Sequence, residues 1–203
     1  MPAPVGGAAR LILASASPRR RELLASLGVP FDVVAGDVDE TLEAVPLREA
    51  VARLALRKAL AVAASRPATV VVAADTIVVI EGRALGKPAN ADDARAMLRA
   101  LRGRTHEVMT GVAVMDSASG RHAAETVVSR VTMAAYAESE IDAYVATGEP
   151  LDKAGAYAIQ GAGGVLVTGL EGSRSNVVGL PLAATAALLR RFGVAVSAPP
   201  PEA

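Results

Sequence analysis

The sequence predicts a mixed α/β fold with a central, partly parallel β-sheet flanked by helices. The run "ATVVVAAD" (residues 68–75) is continuously apolar and rich in valine, which is typical of a strand buried on both faces. The segment from Pro46 to about Ala64 carries apolar residues at helical spacing. Because strand-like and helical segments alternate along the chain, helices are expected to pack on a sheet.

The first half of the chain has clear start and stop signals. The segment "FDVVAGDVDET" predicts a short strand followed by an acidic turn around Asp37, Asp39 and Glu40. It is preceded by a strand, Leu11–Ala14, and by a helix, Pro18–Leu27, which Ser17 caps and Gly28 ends. The long helix from Pro46 follows.

In the second half, the apolar run ending at Asp75 is followed by a predicted hairpin that turns at Glu81–Gly82. The remaining predicted elements are a helix Asp92–Leu101 capped by Asn90, strands in "HEVMTGVAVMD" and "ETVVSRVTMAAY", a helix Glu138–Thr147, glycine-broken strand and loop in "GAYAIQGAGGVLVTGLEG", and a helix Pro181–Phe192 ended by Gly193.

Composition narrows the possible functions. The 203 residues suffice for one compact domain, which we place at 10–193, with flexible ends at 1–9 and 194–203. Net charge is zero, so no global basic field favours nucleic acid, and any anion must be bound by a local cluster. The chain has no cysteine, which excludes disulfides and thiolate chemistry. No apolar run is long enough to span a membrane and no export signal is evident, so a cytoplasmic location is expected.

Three arginines occupy an unfavourable place at the start of the first helix. Arg19, Arg20 and Arg21 fall in its first turn, where each cation is disfavoured by roughly 0.3–1 kcal/mol. Arg20 shares a helix face with three leucines and should point inward, which requires a nearby anion. Ser15, the turn and the helix N-terminus are suited to bind a ligand anion, and one of the protein's own carboxylates is the alternative.

A second cation lies on an apolar stripe. Lys58 falls among the apolar positions of the long helix, which are Leu47, Val51, Leu54, Ala61 and Val62. Its ammonium either extends to solvent along the helix surface or reaches a buried anion.

Two carboxylates are placed to serve a site. Asp75 follows a predicted buried strand, where ligands of α/β sheets usually bind, although a turn or capping role is the alternative. Glu40 lies in the acidic turn. Glu40 and Asp75 are hard oxygen ligands of the kind Mg²⁺ takes together with substrate phosphates. Lys87, on the return arm of the hairpin, is expected near Asp75.

The stretch "IQGAGG" combines a two-sided hydrogen-bonding side chain with flexible backbone. Gln160 is suited to recognise the edge of a base, and the glycines after it allow backbone to approach a ligand or to bend within a sheet. The only histidines are His106, which is compatible with a structural role, and His122, which is expected at the surface.

These segments, in this order, resemble the Maf family of septum formation inhibitors, also called nucleoside triphosphate pyrophosphatases. The resemblance runs through "LILASASPRRRELLASLG", "AADTIVV", "GKP", "GRTHEVMTGVAV", "GEPLDKAGAYAIQG" and "NVVGLPL". It implies a two-lobed fold with a cleft between the lobes, related to inosine triphosphate pyrophosphatases, and usually a homodimer. It also implies Mg²⁺- or Mn²⁺-dependent hydrolysis of a nucleoside triphosphate to the monophosphate and pyrophosphate.

The resemblance also assigns roles to residues. It implies that Asp75 is the catalytic carboxylate and Glu40 a metal or catalytic partner. The pair Arg19 and Arg20, with Thr76 and Gln160, is similar to the branch that prefers dTTP and UTP, including modified pyrimidine triphosphates. The expected substrate-binding residues are Ser15, Arg19, Arg20, Lys58, Thr76, Lys87 and Gln160.

One departure from the family pattern is Arg174, which stands in "GSRSN" where many relatives have an aromatic residue. Two other functions remain alternatives. One is a non-catalytic, nucleotide-binding regulator of cell division, which would not need Asp75 and Glu40 to face the same metal. The other is a 7-methyl-GTP pyrophosphatase, which Gln160 argues against.

Overall fold

The computed structural model describes residues 10–201. Within that range the chain forms seven β-strands and six α-helices, with three short 3-10 helices at Glu149–Asp152, Ala154–Ala156 and Gly161–Leu166. The strands are β1 (Arg10–Leu13), β2 (Phe31–Val33), β3 (Thr69–Ile80), β4 (Arg83–Leu85), β5 (Thr105–Asp116), β6 (His122–Met133) and β7 (Val167–Glu171). The α-helices are α1 (Pro18–Ala25), α2 (Leu47–Ala63), α3 (Ala91–Leu101), α4 (Glu138–Ala146), α5 (Arg174–Val178) and α6 (Leu182–Arg191).

The described strands form one mixed sheet in the order β2-β1-β3-β5-β6-β7, with β4 paired to β3. Strand β1 runs parallel to both of its neighbours, so that Leu11 lies opposite Phe31 on one side and Val70 on the other. The β3–β4 and β6–β7 pairs are antiparallel. The prediction of a mixed α/β fold with a partly parallel sheet is therefore confirmed.

The described residues fall into two compact units, the first made of 10–75, 111–125 and 182–201, the second of 76–110 and 126–181. In the first unit α2 contributes small side chains, Ala55 and Ala59 among them, to a core shared with Ile12, Val71 and Ala113. The core of the second unit contains larger side chains, among them Leu98, Leu101, Met133, Tyr136, Ile141 and Tyr144. No helix of the described residues is long and apolar enough to cross a membrane.

Capping and turn residues correctly predicted where several helices begin and where one hairpin turns. The Ser17 hydroxyl accepts a hydrogen bond from the backbone N–H of Arg20 at the start of α1, and the Asn90 side chain accepts one from Asp93 at the start of α3. The turn predicted at Glu81–Gly82 joins β3 to β4, with positive φ at both residues (50° and 75°), as tight hairpin turns require. Helix α1 ends at Ala25, two residues before the predicted end.

The predicted strand end at Asp75 is wrong. Strand β3 is continuous from Thr69 to Ile80, and Asp75 lies in its middle. Its parallel neighbour β1, however, ends opposite Val72, so Asp75 lies beyond the carboxyl end of that neighbour. The polar pair Asp75-Thr76 resembles a strand end in the sequence, but both side chains have hydrogen-bonding partners within the fold, so the strand continues.

The segment between α4 and α6 contains less β-strand than predicted. It holds the three 3-10 helices, strand β7 and the short helix α5, which was not predicted. The prediction of flexible ends falls partly outside the described residues, at 1–9 and 202–203. The stretch 194–201 has no helix or strand, and its Ser197 N–H donates to the Leu27 carbonyl over 2.9 Å.

Candidate active site

The turn between β1 and α1 joins three of the residues singled out by sequence. The Ser15 hydroxyl is buried and accepts hydrogen bonds from the Ser17 N–H (3.2 Å) and from Arg20 Nη1 (3.5 Å). On the predicted inner face of the helix, Leu24 is buried and Arg20 is half-buried, and Leu27, just beyond the end of α1, is also buried, whereas Arg21 is exposed. The inward orientation predicted for Arg20 is confirmed.

Lys58 is one of the buried residues of α2, and its side chain is 11% exposed. Val51, Leu54 and Val62 of the predicted stripe are buried, but Ala61 is exposed. The Lys58 ammonium donates to Asp75 Oδ1 and to Glu40 Oε1, each over 2.6 Å. Of the two alternatives for this lysine, the structure shows the one in which the ammonium reaches a buried anion, and that anion is Asp75.

The two carboxylates therefore converge on one position. Their nearest oxygens are no more than about 5.2 Å apart, since each lies 2.6 Å from the same nitrogen. Asp75 is buried, while the Glu40 side chain is 59% exposed, so the pair opens from the core towards solvent.

This pair fits a divalent cation only in part. In the described part of the chain, no three histidine, aspartate or glutamate side chains are grouped to hold a metal ion. Mg²⁺ is nevertheless commonly held by one or two carboxylates, with water and substrate phosphates as the other ligands. Asp75 and Glu40 supply that number of carboxylates, and water and phosphate oxygens would have to supply the other ligands.

Arg20 is electrostatically linked to the same cluster. Burial lowers the pKa of Arg20 below its ordinary value, while the negative charges of Asp75 and Glu40 act to raise it and the neighbouring Arg19 acts to lower it further. The carboxylates thus offset part of the positive charge at the start of α1. The protein's own acidic groups, left open as an alternative, therefore contribute to the tolerance of Arg20 at this position.

The loop that carries Glu40 is held by a neighbour of Lys58. Arg57 donates from Nη2 to the carbonyls of Asp39 (3.1 Å) and Thr41 (2.8 Å), on either side of Glu40. Its Nη1 donates to Glu43 Oε1 over 2.7 Å. The sequence did not single out Arg57, because a charged residue on a helix gives no sign of which distant carbonyls it binds.

Thr76 follows Asp75 in β3, so its side chain lies on the opposite face of the strand. Its hydroxyl is 2.9 Å from that of Thr110, which in turn donates to the Asn176 carbonyl. These contacts belong to the second unit. Substrate binding by Thr76 stays a prediction.

Lys87 and Gln160 are both exposed residues of the second unit. Lys87 follows β4, and Gln160 stands directly before the 3-10 helix Gly161–Leu166. Their predicted contacts with substrate stay predictions. Arg174, the departure from the family pattern, is half-buried at the start of α5.

The glycines after Gln160 enclose one of the protein's own side chains. Glu149 accepts hydrogen bonds from the backbone N–H groups of Ala162 and Gly163 (3.1 Å each) and from the Tyr144 hydroxyl (2.9 Å). From the sequence these glycines had two interpretations, a ligand approach or a bend within a sheet, and Glu149 was not identified. In the sequence, only the cluster of glycines indicated that another group packs closely against this backbone.

The two histidines lie as expected. His122 is exposed, whereas His106 is 2% exposed and its Nε2 is 2.8 Å from the Tyr157 hydroxyl. Burial lowers the pKa of His106 from 6.5 to about 4, so this imidazole is neutral at physiological pH. Its environment indicates a structural role.

Fold and site together define a class: an α/β protein in which a basic helix start and a buried lysine stand beside two converging carboxylates. The family model for the Maf-like protein matches residues 10–192. The chain therefore belongs to the Maf family, as the sequence resemblance predicted.

Two curated relatives illustrate the match. A dTTP/UTP pyrophosphatase from Anaeromyxobacter dehalogenans (strain 2CP-C) is 58% identical over 189 residues, covering 92% of this chain and 95% of its own. One from Myxococcus xanthus (strain DK1622) is 57% identical over 186 residues, covering 91% and 93%. Among solved structures, a HAM1 protein from Coxiella burnetii aligns with a TM-score of 0.47 at 18% identity, over 63% of this chain and 74% of its own.

Proposed function

We propose that this chain is a nucleoside triphosphate pyrophosphatase that hydrolyses dTTP and UTP to the monophosphate and pyrophosphate. The observation that carries the proposal is the bridging of Asp75 and Glu40 by Lys58, within electrostatic reach of Arg20. Binding a triphosphate is favoured by several fixed cations, and in-line attack on phosphorus is assisted by a residue that orients the water, a role that a carboxylate can fill. The names of the curated relatives support the same activity.

In the proposed reaction Asp75 orients a water molecule and accepts its proton. The water oxygen forms a bond to the α-phosphorus, while the bond from that phosphorus to the bridging oxygen of the β-phosphate breaks. The electron pair of that bond leaves with pyrophosphate. Lys58, which donates to Asp75, holds the carboxylate in place for this step.

The remaining contacts are assigned by charge and hydrogen-bonding capacity. Ser15, Arg19 and Arg20 bind phosphate oxygens at the start of α1, where the positive end of the helix dipole also favours anions. Lys87 binds phosphate as a point charge, and Gln160 and Thr76 bind the pyrimidine nucleoside. Because Gln160 offers both a donor and an acceptor, modified pyrimidine triphosphates with an intact base edge are also proposed substrates.

We propose a divalent cation, Mg²⁺ or Mn²⁺, as the cofactor. Asp75 and Glu40 are the residues that would hold it. When bound, it would neutralise phosphate charge and stabilise the negative charge that develops on the leaving group. Chelation with EDTA should abolish turnover and added Mg²⁺ or Mn²⁺ should restore it; full activity in EDTA would contradict the cofactor. The homodimer and the cytoplasmic location stay predictions.

The function is tested with a panel of nucleoside triphosphates in which pyrophosphate and orthophosphate are scored separately. We expect dTTP and UTP to give monophosphate and pyrophosphate faster than CTP, GTP or 7-methyl-GTP. Orthophosphate as the first product would rule out cleavage between the α- and β-phosphates. Nucleotide binding without turnover would favour the non-catalytic regulator, and preference for 7-methyl-GTP would favour the other branch.

A further inference from the structure

The backbone on both sides of Gln160 is held by hydrogen bonds to the side chains of Tyr144 and Glu149. On the N-terminal side, the Ala158 N–H donates to the Tyr144 hydroxyl over 3.1 Å. On the C-terminal side, the N–H groups of Ala162 and Gly163 donate to the two oxygens of Glu149. Because the Tyr144 hydroxyl itself donates to Glu149 Oε1, these contacts form one connected network around Gln160.

The glycines make this network possible. A Cβ on Gly161 would lie 2.8 Å from Glu149 Oε2. The backbone φ of Gly161 is +78°, a value that residues with a side chain rarely adopt. A Cβ on Gly163 would lie 2.4 Å from the Tyr144 hydroxyl and 2.6 Å from the Ala158 carbonyl. The backbone can therefore wrap the carboxylate closely only because these positions lack side chains.

The carboxylate is held in its charged form. Burial raises the pKa of Glu149, but the hydrogen bonds from Gly163, Tyr144 and Ala162, together with the charge of Lys153, outweigh burial and lower it below its ordinary value. Burial and the proximity of Glu149 raise the pKa of Tyr144, so this hydroxyl keeps its proton and remains a donor. Charged acceptors make the stronger hydrogen bonds, which suits a rigid connection.

Gln160 itself is exposed, and its side chain does not cap the 3-10 helix that follows. A network that fixes the backbone of an exposed residue while leaving its side chain uncommitted is suited to present that side chain to a ligand. We propose that Glu149 and Tyr144 are positioning residues that set the orientation of Gln160 and thereby the choice between pyrimidine bases. This inference rests on the proposed function, in which Gln160 binds the base.

The bases that Gln160 would distinguish are uracil and cytosine. UTP and CTP have the same ribose and triphosphate, and they differ in the hydrogen-bonding pattern of the base edge, where an acceptor in one is a donor in the other. A carboxamide carried at a set position beside the base distinguishes the two patterns by where its donor and acceptor lie, whereas one carried on a backbone that shifts loses that placement. Loss of the network should therefore lower selectivity more than it lowers the rate on either nucleotide.

The experiment measures kcat/KM for UTP and for CTP on the same preparation of each variant. The ratio of the two values cancels any loss of folded protein. Glu149→Gln keeps the shape of the side chain but places an amide N–H group against backbone donors, and we expect the UTP-to-CTP ratio to fall roughly 3- to 10-fold. The control is Glu140→Gln, an isosteric change at a carboxylate that lies on the same helix as Tyr144 and accepts its hydrogen bond from the Ala137 N–H over 2.7 Å. Its ratio should stay unchanged.

A double-variant cycle tests whether Glu149 acts through Gln160. Gln160→Ala should lower the ratio by itself, and adding Glu149→Gln should lower it no further. If Gln160→Ala lowers the ratio and Glu149→Gln does not, the positioning role is wrong while base binding by Gln160 stands. If Gln160→Ala leaves the ratio unchanged, this inference also fails, and the product panel still judges the pyrophosphatase activity on its own.

Tyr144→Phe provides a second route should Glu149→Gln not yield folded protein. It removes the partner of the Ala158 N–H and one donor to Glu149 while keeping the aromatic ring in the core. We expect the same fall in the UTP-to-CTP ratio, with KM for UTP rising more than kcat falls. A wild-type ratio in this variant would overturn the proposal.

Discussion

The ammonium of Lys58 lies 2.6 Å from Asp75 Oδ1, in a pair whose side chains are only 11% and 13% exposed. Two charges that have lost most of their water are stable together only because each is bonded to the other. Glu40 adds a second carboxylate to the same ammonium. The cluster thus keeps a negatively charged oxygen at the edge of the core, where a water molecule could be oriented.

Asp75→Asn should abolish most turnover while leaving nucleotide binding largely intact. The amide keeps the size of the side chain but cannot accept a proton, and the loss of a general base typically lowers kcat by about 10²- to 10⁴-fold. Steady-state pyrophosphate release and equilibrium binding of UTP measure the two quantities separately. Asp32→Asn, at an exposed carboxylate of the same unit paired with Arg10, is the matched control and should keep the wild-type rate. Near-normal turnover in Asp75→Asn would exclude the proposed role.

Arg57→Met should weaken the response to the activating cation more than Arg53→Met does. Both arginines bind Glu43, but only Arg57 also donates to the carbonyls on either side of Glu40. Without these bonds the Glu40 carboxylate is less well placed, and we expect the Mn²⁺ concentration for half-maximal pyrophosphate release to rise about 3- to 10-fold. Equal effects of the two substitutions would show that the shared contact with Glu43, and not the loop around Glu40, is what matters.

The neutral, buried His106 should make the protein less stable in acid. In the unfolded chain this histidine takes up a proton near its ordinary pKa of 6.5, whereas in the folded state it does so only near pH 4. Its contribution is therefore fully present above about pH 6.5 and is lost as the pH falls towards 4. Between about pH 8 and pH 5 the loss amounts to about 2 kcal/mol.

The measurement for His106 is urea unfolding at these two pH values, with His106→Gln as the comparison. The glutamine can still hydrogen-bond the Tyr157 hydroxyl but does not titrate, so its stability should depend less on pH by about 2 kcal/mol. Parallel pH dependences in the two proteins would assign the acid sensitivity to other groups.

Gly111→Ala should strongly destabilise the first unit. A Cβ at this position of β5 would lie 2.3 Å from the Val51 carbonyl oxygen of α2, so the backbone of the helix itself would have to move. We expect a loss of about 3 kcal/mol in the free energy of unfolding, at the upper end for an overpacked core. Gly86→Ala is the control, because a Cβ there meets nothing within 4 Å. Thermal melts of both variants check the difference, and equal melting temperatures would contradict it.

Where the sequence predicted structure well, the deciding interactions span only a few residues. The Ser17 and Asn90 caps bind backbone N–H groups three residues ahead, and the Glu81–Gly82 turn closes between adjacent strand ends. Such contacts form in nearly the same way in any surrounding structure. The error at Asp75 has the opposite origin: a charged residue inside a buried strand is tolerated only because a lysine from a distant helix pairs with it.

The candidate site shows the same division. An arginine facing inward at a helix start and a lysine on an apolar stripe are visible in the sequence, because helical periodicity alone makes them anomalous. The identity of their partners is not visible. Glu149 went unnoticed altogether, since its partners Ala162 and Gly163 lie 13 and 14 residues away and are backbone groups that any residue type offers.

By itself, then, the sequence determined the class of fold, the family, and the charged side chains out of place in their own elements. Only the tertiary structure decided which of these side chains bind one another: Lys58 is 17 residues from Asp75 and 18 from Glu40, and the pairing exists because α2 packs against the sheet. The physical reason is that helix caps and tight turns are satisfied within a few residues, whereas a buried charge needs a partner that only the packing of distant segments can bring within 3 Å.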